Sequence, residues 1–358
     1  MILEDEAERW YEEALLRSVA LQHFFSFAFL RKEEWVRVLR VQQPGEGLWA
    51  RYQLDSVGAM LVAALRYAPD VESESAEARA AQGKPLLPLP EEGRAAVTIG
   101  RFARGNWYRE MIERLAACAR AASEETAGLG LPVFPLKQWH RFSNSKFPEK
   151  ALAVAAGLGT IGRNGLLIAR RTGNAEASDD GCAETSSWPL WSSAVVLGLM
   201  LLPFDIGKEV GTLHNELIKP LALCRTCQRC IDACPTGALA LAELPCYERA
   251  RCIQNYTSIA GALPEDIEAA WSNQLYGCDI CLEACPYFNP NGEACTALGR
   301  IGGAFDAASI AAMSEAELRA VFKGSALDQK WIAPAALKRN AALVVRKHKL
   351  NQRSRSYD

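Results

Sequence analysis

The chain has 358 residues, 49% of them hydrophobic and 23% charged, with a formal net charge of −2. A length and apolar fraction of this size bury a substantial core and suit two or three folding units, which excludes a disordered or low-complexity protein. The near-neutral balance excludes a global pull toward nucleic acid or anionic membrane, so any partner has to be argued from local sites.

The first residues, MILEDEAERWYEEALL, are acidic and lack the basic start, apolar run and small-residue cleavage site of a secretory signal, so a cytoplasmic protein is expected. Across residues 4–40 apolar side chains recur at helical spacing (Leu16, Ala20, Phe24, Phe27), which predicts one or two amphipathic helices. Residues 56–67, SVGAMLVAALRY, predict a buried strand stopped by Pro69. Residues 70–94 are rich in Glu, Ser, Ala and Pro and predict a long exposed loop. Helical patterns follow at 107–122 and 149–156, strand patterns at 165–169 and 194–202, and a polar loop at 172–187. The apolar run AVVLGLMLL at 194–202 is about half the length of a bilayer-spanning helix, so it predicts a buried strand and no membrane partner. From residue 224 to 290 the chain turns tightly around cysteines, and from Ala307 it is helical and increasingly basic. An α+β domain over 1–215, a ferredoxin-like domain over 216–292 and a short helical segment over 293–358 are expected.

Residues 156–164, AGLGTIGRN, formally match G-x-G-x-x-G through Gly157, Gly159 and Gly162. A dinucleotide-binding loop follows a strand, opens a helix and has an acidic residue about 20 positions on. Here a helical pattern precedes the glycines and a strand pattern follows them, so the order is reversed.

Twelve cysteines are many for a chain without an export signal. Ten of them lie between Cys224 and Cys295, and such clustering favours metal thiolates over disulfides. CRTCQRCIDACP sets Cys224, Cys227, Cys230 and Cys234 at C-x2-C-x2-C-x3-C-P, in which three thiolates hold one 4Fe-4S cluster and the fourth crosses to a second. CDICLEACP supplies Cys278, Cys281 and Cys285, but Leu275 stands where its first ligand belongs. Cys252 and Cys246 are the candidates to replace it. The expected sets are Cys224, Cys227, Cys230 and Cys285 on one cluster, with Cys234, Cys252, Cys278 and Cys281 on the other. A pair of zinc sites is the alternative, but zinc does not call for a third cysteine at x2 or a Cys-Pro ending twice over. Cys118, Cys182 and Cys295 read as incidental thiols.

With RCIQNYTSIAGALPEDI between its halves and YGCDICLEACPYFNP at its end, the cysteine region resembles that of the epoxyqueuosine reductase family. These are cobalamin-dependent iron–sulfur enzymes of tRNA modification, related to reductive dehalogenases. LVAALRYAP, GRFARGNWYREMIERL, EKALAVAAGLGTIGRNGLLI and FKGSALDQKWIAPAALKRNAALVV extend the resemblance over roughly residues 55–345. It implies a nitroreductase-like cobalamin-binding α+β domain, in which Gly157, Gly159, Gly162 and Asn164 form the wall of a corrinoid pocket and absent side chains let backbone approach a flat macrocycle. A tight helix-to-strand turn without a ligand is the other reading of the same glycines. His23, His140, His214 and His348 include no Asp-x-His-x-x-Gly arrangement, so base-off cobalamin is expected. Electrons would run from an external donor, a ferredoxin or flavodoxin, through the two clusters to cobalt and then to substrate. The alternative is an electron-transfer protein that reduces the corrinoid of a partner protein.

The sequence departs from the family at its proton donor. Sixteen residues before Gly159, where relatives carry the aspartate of Val-Asp-Ser-x-Pro, stands Ser143, and the family's Asp-Tyr-His is Trp107, Tyr108 and Arg109. A hydroxyl of very high pKa makes Ser143 a poor acid, which leaves Tyr108, with Arg109 to stabilise a phenolate, as the second catalytic candidate. The substrate therefore need not be epoxyqueuosine. Residues 338–358 hold seven Lys or Arg against one Asp, a candidate contact for tRNA phosphates, while no counterpart of the helical-repeat module of some relatives is expected.

Overall fold

The computed structural model describes residues 2–45, 47–67, 71–130, 134–172, 190–207, 222–239, 247–291 and 298–355. Cys182, His214, Cys246, Cys295, Pro69 and the expected polar loop from residue 173 onward lie outside them. Among the described residues there are ten strands: β1 (Ser26–Arg31), β2 (Ala59–Arg66), β3 (Ala96–Ile99), β4 (Arg141–Phe142), β5 (Gly159–Ile161), β6 (Leu167–Arg170), β7 (Trp191–Ser192), β8 (Val195–Leu202), β9 (Gln274–Tyr276) and β10 (Ala304–Asp306).

The principal sheet is antiparallel, in the order β1-β2-β8-β4, and helices cover both of its faces. Leu61 and Leu65 of β2 pack with the helices Ile2–Ala20 and Trp107–Gly128. Met60 and Val62 point the other way, toward Lys32–Gln42 and Glu149–Ala155. Coverage on two sides explains why β2 and β8 read as continuous apolar runs rather than alternating ones. Gly198 of β8 lets the long helix press close, because a Cβ there would fall 2.4 Å from Met111 Cγ.

Two local expectations change. Residues 4–40 are not helical throughout: His23 takes a left-handed φ of 49°, and Ser26–Arg31 then runs as β1, with Phe27 opposite Ala63. Phe24 and Phe27 fit a helical stripe by spacing, but the aromatic run SFAFLR gains more from pairing with a buried strand than from continuing a helix. Within 70–94, Ala76–Ala81 is helical with Ser75 as its N-cap. Arg79, 1% exposed, pins this stretch by donating to the carbonyls of Pro85 and Val321.

A second sheet, β10-β3-β9, draws one strand from each of the three segments anticipated at 1–215, 216–292 and 293–358, with β3 parallel to β9 and antiparallel to β10. Leu275, in place of a thiolate, is a fully buried core residue of β9. The helix Pro334–Arg355 ties the same region down. Arg339 donates to the carbonyls of Ile259 and Gly261, Lys347 to those of Glu268, Ala269 and Trp271, and Arg346 pairs with Glu268. Three of the basic residues expected to meet phosphate are thus engaged within the chain. No helix among the described residues is long and apolar enough to cross a membrane.

Candidate active site

The third sheet, β5-β6-β7, contains the glycine motif, and each glycine has a reason inside the fold. The helix Glu149–Ala155 ends at Gly157, whose φ of 80° lets Leu158 N–H reach back to the Ala153 carbonyl. Gly159 pairs with Ala169 across the hairpin, where a Cβ would sit 2.1 Å from Ile168 O. At Gly162 a Cβ would meet Asn164 Oδ1 at 2.9 Å. None of the three lines the neighbouring cavity, and inside the fold the glycines serve the turn and the hairpin. Asn164 does line it. Its Oδ1 accepts from Leu166 N–H and its Nδ2 donates to the Cys281 carbonyl, which joins the hairpin to the cysteine segment.

The cavity, about 560 Å³, lies between the principal sheet, the hairpin and the cysteine segment, and Cys234, Cys252, Cys278 and Cys281 form part of its wall. A smaller hollow beside it is lined by Cys224, Cys227, Cys230 and Cys285, with Asn164 bordering both. Short helices set these positions: Ala222–Thr226, Arg229–Ala233 and Ile280–Glu283 present Cys224, Cys230 and Cys281. Cys252 caps Ile253–Tyr256, and Gln254 Oε1 of that helix accepts from Cys278 N–H at 3.0 Å, which brings the inserted cysteine to the second motif.

All eight thiols are free, as is buried Cys118, and no disulfide joins any of them. Burial, reinforced by neighbouring thiols, raises Cys230, Cys252 and Cys285, pushes Cys278 up to about 12 and takes Cys281 further. Burial also acts on Cys234, but hydrogen bonds from Thr236 and from the backbone of Ala238 and Leu239 together outweigh it and lower that thiol. Crowded buried thiols become thiolates together only when bound positive charge compensates them, so the donor sets fit a metal cofactor. Among the described residues no group of three or more Cys, His, Asp or Glu is placed to hold a single ion. A lone zinc takes four thiolates around one ion, whereas an iron–sulfur cube takes three thiolates from one short turn, as the C-x2-C-x2-C spacing supplies.

The sequence candidates for acid chemistry separate. Tyr108 lines the cavity, and burial pushes its phenol well above the usual 10. Arg109 does not stabilise a phenolate there: it is exposed and paired with Glu113 at 2.8 Å. Ser143 stays off the cavity wall and donates to the Leu197 carbonyl at 2.6 Å, which fastens its loop to β8. Sequence reasoning passed over Glu149, Lys150, Tyr67 and Asp279, all of which line the cavity. Glu149 and Lys150 open the EKALAVAAGLGTIGRN stretch, and a charged pair directly before a glycine-rich turn was the available signal.

The family described as a 4Fe-4S double cluster binding domain matches residues 223–288. An epoxyqueuosine reductase of Gloeobacter violaceus is 30% identical over 285 residues, 73% of this chain and 71% of the relative. That of Xanthomonas campestris is 33% identical over 199 residues, 55% of this chain and 45% of the relative, and that of Lactococcus garvieae 28% over 191 residues, 52% and 44%. The chain thus spans about half the length of several curated relatives it matches. Among solved structures, the epoxyqueuosine reductase of Streptococcus thermophilus superposes with a TM-score of 0.63 at 17% identity, covering 92% of this chain and 80% of that one. One bound to an epoxyqueuosine-modified tRNA stem loop gives 0.62 at 18%, covering 96% and 82%; at such identities these likenesses speak for the fold. Identity of 30% carried through most of a curated relative, on that fold and with the double-cluster segment in it, makes this chain a member of the epoxyqueuosine reductase family.

Proposed function

We propose that this protein is a reductase that removes an epoxide oxygen from a modified nucleoside of a tRNA stem loop, with two 4Fe-4S clusters and base-off cobalamin as cofactors. The observation that carries the reading is one cavity with four thiols, Tyr108 and Glu149 on its walls. Cys224, Cys227, Cys230 and Cys285 would hold the outer cluster and Cys234, Cys252, Cys278 and Cys281 the one at the cavity. Residues 1–215 would form the nitroreductase-like cobalamin-binding part, with 216–292 as the two-cluster part and 293–358 as a helical end. The aromatic and aliphatic walls, including Tyr67, Phe102, Leu166 and Val196, suit a flat macrocycle, and none of His23, His140 or His348 lines the cavity to ligate its metal. When bound, these groups supply one-electron transfer from an external ferredoxin or flavodoxin to a low-valent cobalt.

The residues of the chain do the rest. The Tyr108 phenol keeps its proton and serves as a hydrogen-bond donor, and Asn164 holds the hairpin against the cavity-side thiols. A cavity of this size favours a substrate of the protein's own over the corrinoid-reducing partner role, which needs only a flat surface above a cluster. The test is anaerobic turnover of an epoxyqueuosine-containing tRNA stem loop by reconstituted protein with a chemical reductant. Formation of the deoxygenated nucleoside is expected. No turnover with iron and corrinoid fully loaded would overturn the substrate and favour the partner role.

A further inference from the structure

Ser143 occupies the family's acid position but is tied to the Leu197 carbonyl, away from the cavity. Among the described residues two carboxyl groups line that cavity, Glu149 and Asp279. Asp279 stands between two of the cluster thiols in sequence and is held by the Arg101 N–H at 2.6 Å. Glu149 belongs to a different wall, at the first residue of its helix. Its Oε1 accepts from both Ser145 N–H and Ser145 Oγ at 2.8 Å, whereas Oε2 takes one long contact of 3.3 Å from Asn144 N–H. One oxygen is therefore anchored twice and the other is held by a single long contact.

Resting on the reading above, we propose that Glu149 is the general acid of this protein, the group that protonates the oxygen leaving the bound epoxide. The step balances as follows. Two electrons from the external one-electron donor enter the substrate carbons, both carbon–oxygen bonds break, and an alkene forms. The oxygen takes one proton from Glu149 and one from water and leaves as water, after which solvent reprotonates Glu149. Burial raises the Glu149 pKa, against the lowering pull of the Ser145 and Asn144 hydrogen bonds and the Lys150 charge. Lys150 itself donates to the Gly165 carbonyl at 2.6 Å, and Tyr108 shares the cavity as a neutral phenol, so neither competes for the proton. A carboxyl whose pKa burial raises suits an acid better than the tightly held phenol does.

The test compares the natural chain, Glu149→Gln, Ser145→Ala and Glu149→Gln combined with Asn144→Asp. Asn144 lines the same cavity in a left-handed conformation that aspartate tolerates. Glu149→Gln should keep its iron content and melting temperature but lose about 10²- to 10⁴-fold in turnover. Adding Asn144→Asp should recover part of that loss. Ser145→Ala, which removes one of the two anchors of Oε1 and leaves the carboxyl in place, should lose less turnover than Glu149→Gln. Infrared titration of the protein without substrate should show a protonated carboxyl band that Glu149→Gln removes. Undiminished turnover in Glu149→Gln would overturn the proposal. If the natural chain does not turn over epoxyqueuosine at all, the substrate reading fails and the infrared band decides: its absence overturns Glu149 as an acid, and its presence supports it.

Discussion

The carbonyl oxygen of Ile168 lies so close to Gly159 across the β5–β6 hairpin that an added Cβ would be 2.1 Å from it. Neither partner is a mobile side-chain end, so Gly159→Ala should separate the two strands and destabilise the protein by about 1–3 kcal/mol. Gly128, at the end of a helix with open space around it, is the control, and Gly128→Ala should stabilise by about 0.5–1 kcal/mol. Chemical denaturation of both variants checks this. Unchanged stability in Gly159→Ala would show that the hairpin relaxes freely.

Iron content tests the quartets. Anaerobically reconstituted protein should hold about eight iron atoms per chain, and Cys252→Ala about half of that. Cys246→Ala should keep both clusters. Iron saturating near four in the natural chain, or zinc in its place, would refute the two-cluster assignment.

Asp306 caps the helix Ala307–Ala312, its carboxylate accepting from Ser309 N–H at 2.7 Å. Burial acts to raise its pKa, but Ser309 and then Arg94 outweigh burial and hold it below the ordinary value. A depressed native pKa adds stability above the unfolded value, and that stability is lost as pH falls through the native one. Asp306→Ala should therefore cost about 1 kcal/mol near neutrality, and the gap should close below about pH 4. A constant gap from pH 7 to 3 would contradict the ionised cap.

The Lys347 ammonium meets the carbonyls of Glu268, Ala269 and Trp271 at the end of the helix Glu265–Ala270. Lys347→Met keeps the stem but leaves these acceptors unmatched, and should destabilise by about 2 kcal/mol. Loss of affinity for a tRNA stem loop without loss of stability would instead show that Lys347 works at the surface.

Features that depend on neighbours in the chain were legible in the sequence. Cysteine spacing announces iron–sulfur chemistry because a cube takes three thiolates from one short turn, and β2 and β8 betray their burial because both faces are covered. The reversed order around the glycines already spoke against a dinucleotide loop. Tertiary packing decided what spacing leaves open. β1 is a strand because β2 offers it a partner, and Cys252 reaches Cys278 because Gln254 accepts the Cys278 N–H. Gly159 is explained by the opposite strand of its own hairpin. The positions of Ser143, Arg109 and Glu149 follow from contacts with Leu197, Glu113 and Ser145 respectively, and Glu149 meets Tyr108 in one cavity only because separate helices converge there. Which way a polar side chain turns depends on the partner the fold supplies, and local pattern carries no record of a partner fixed by long-range packing.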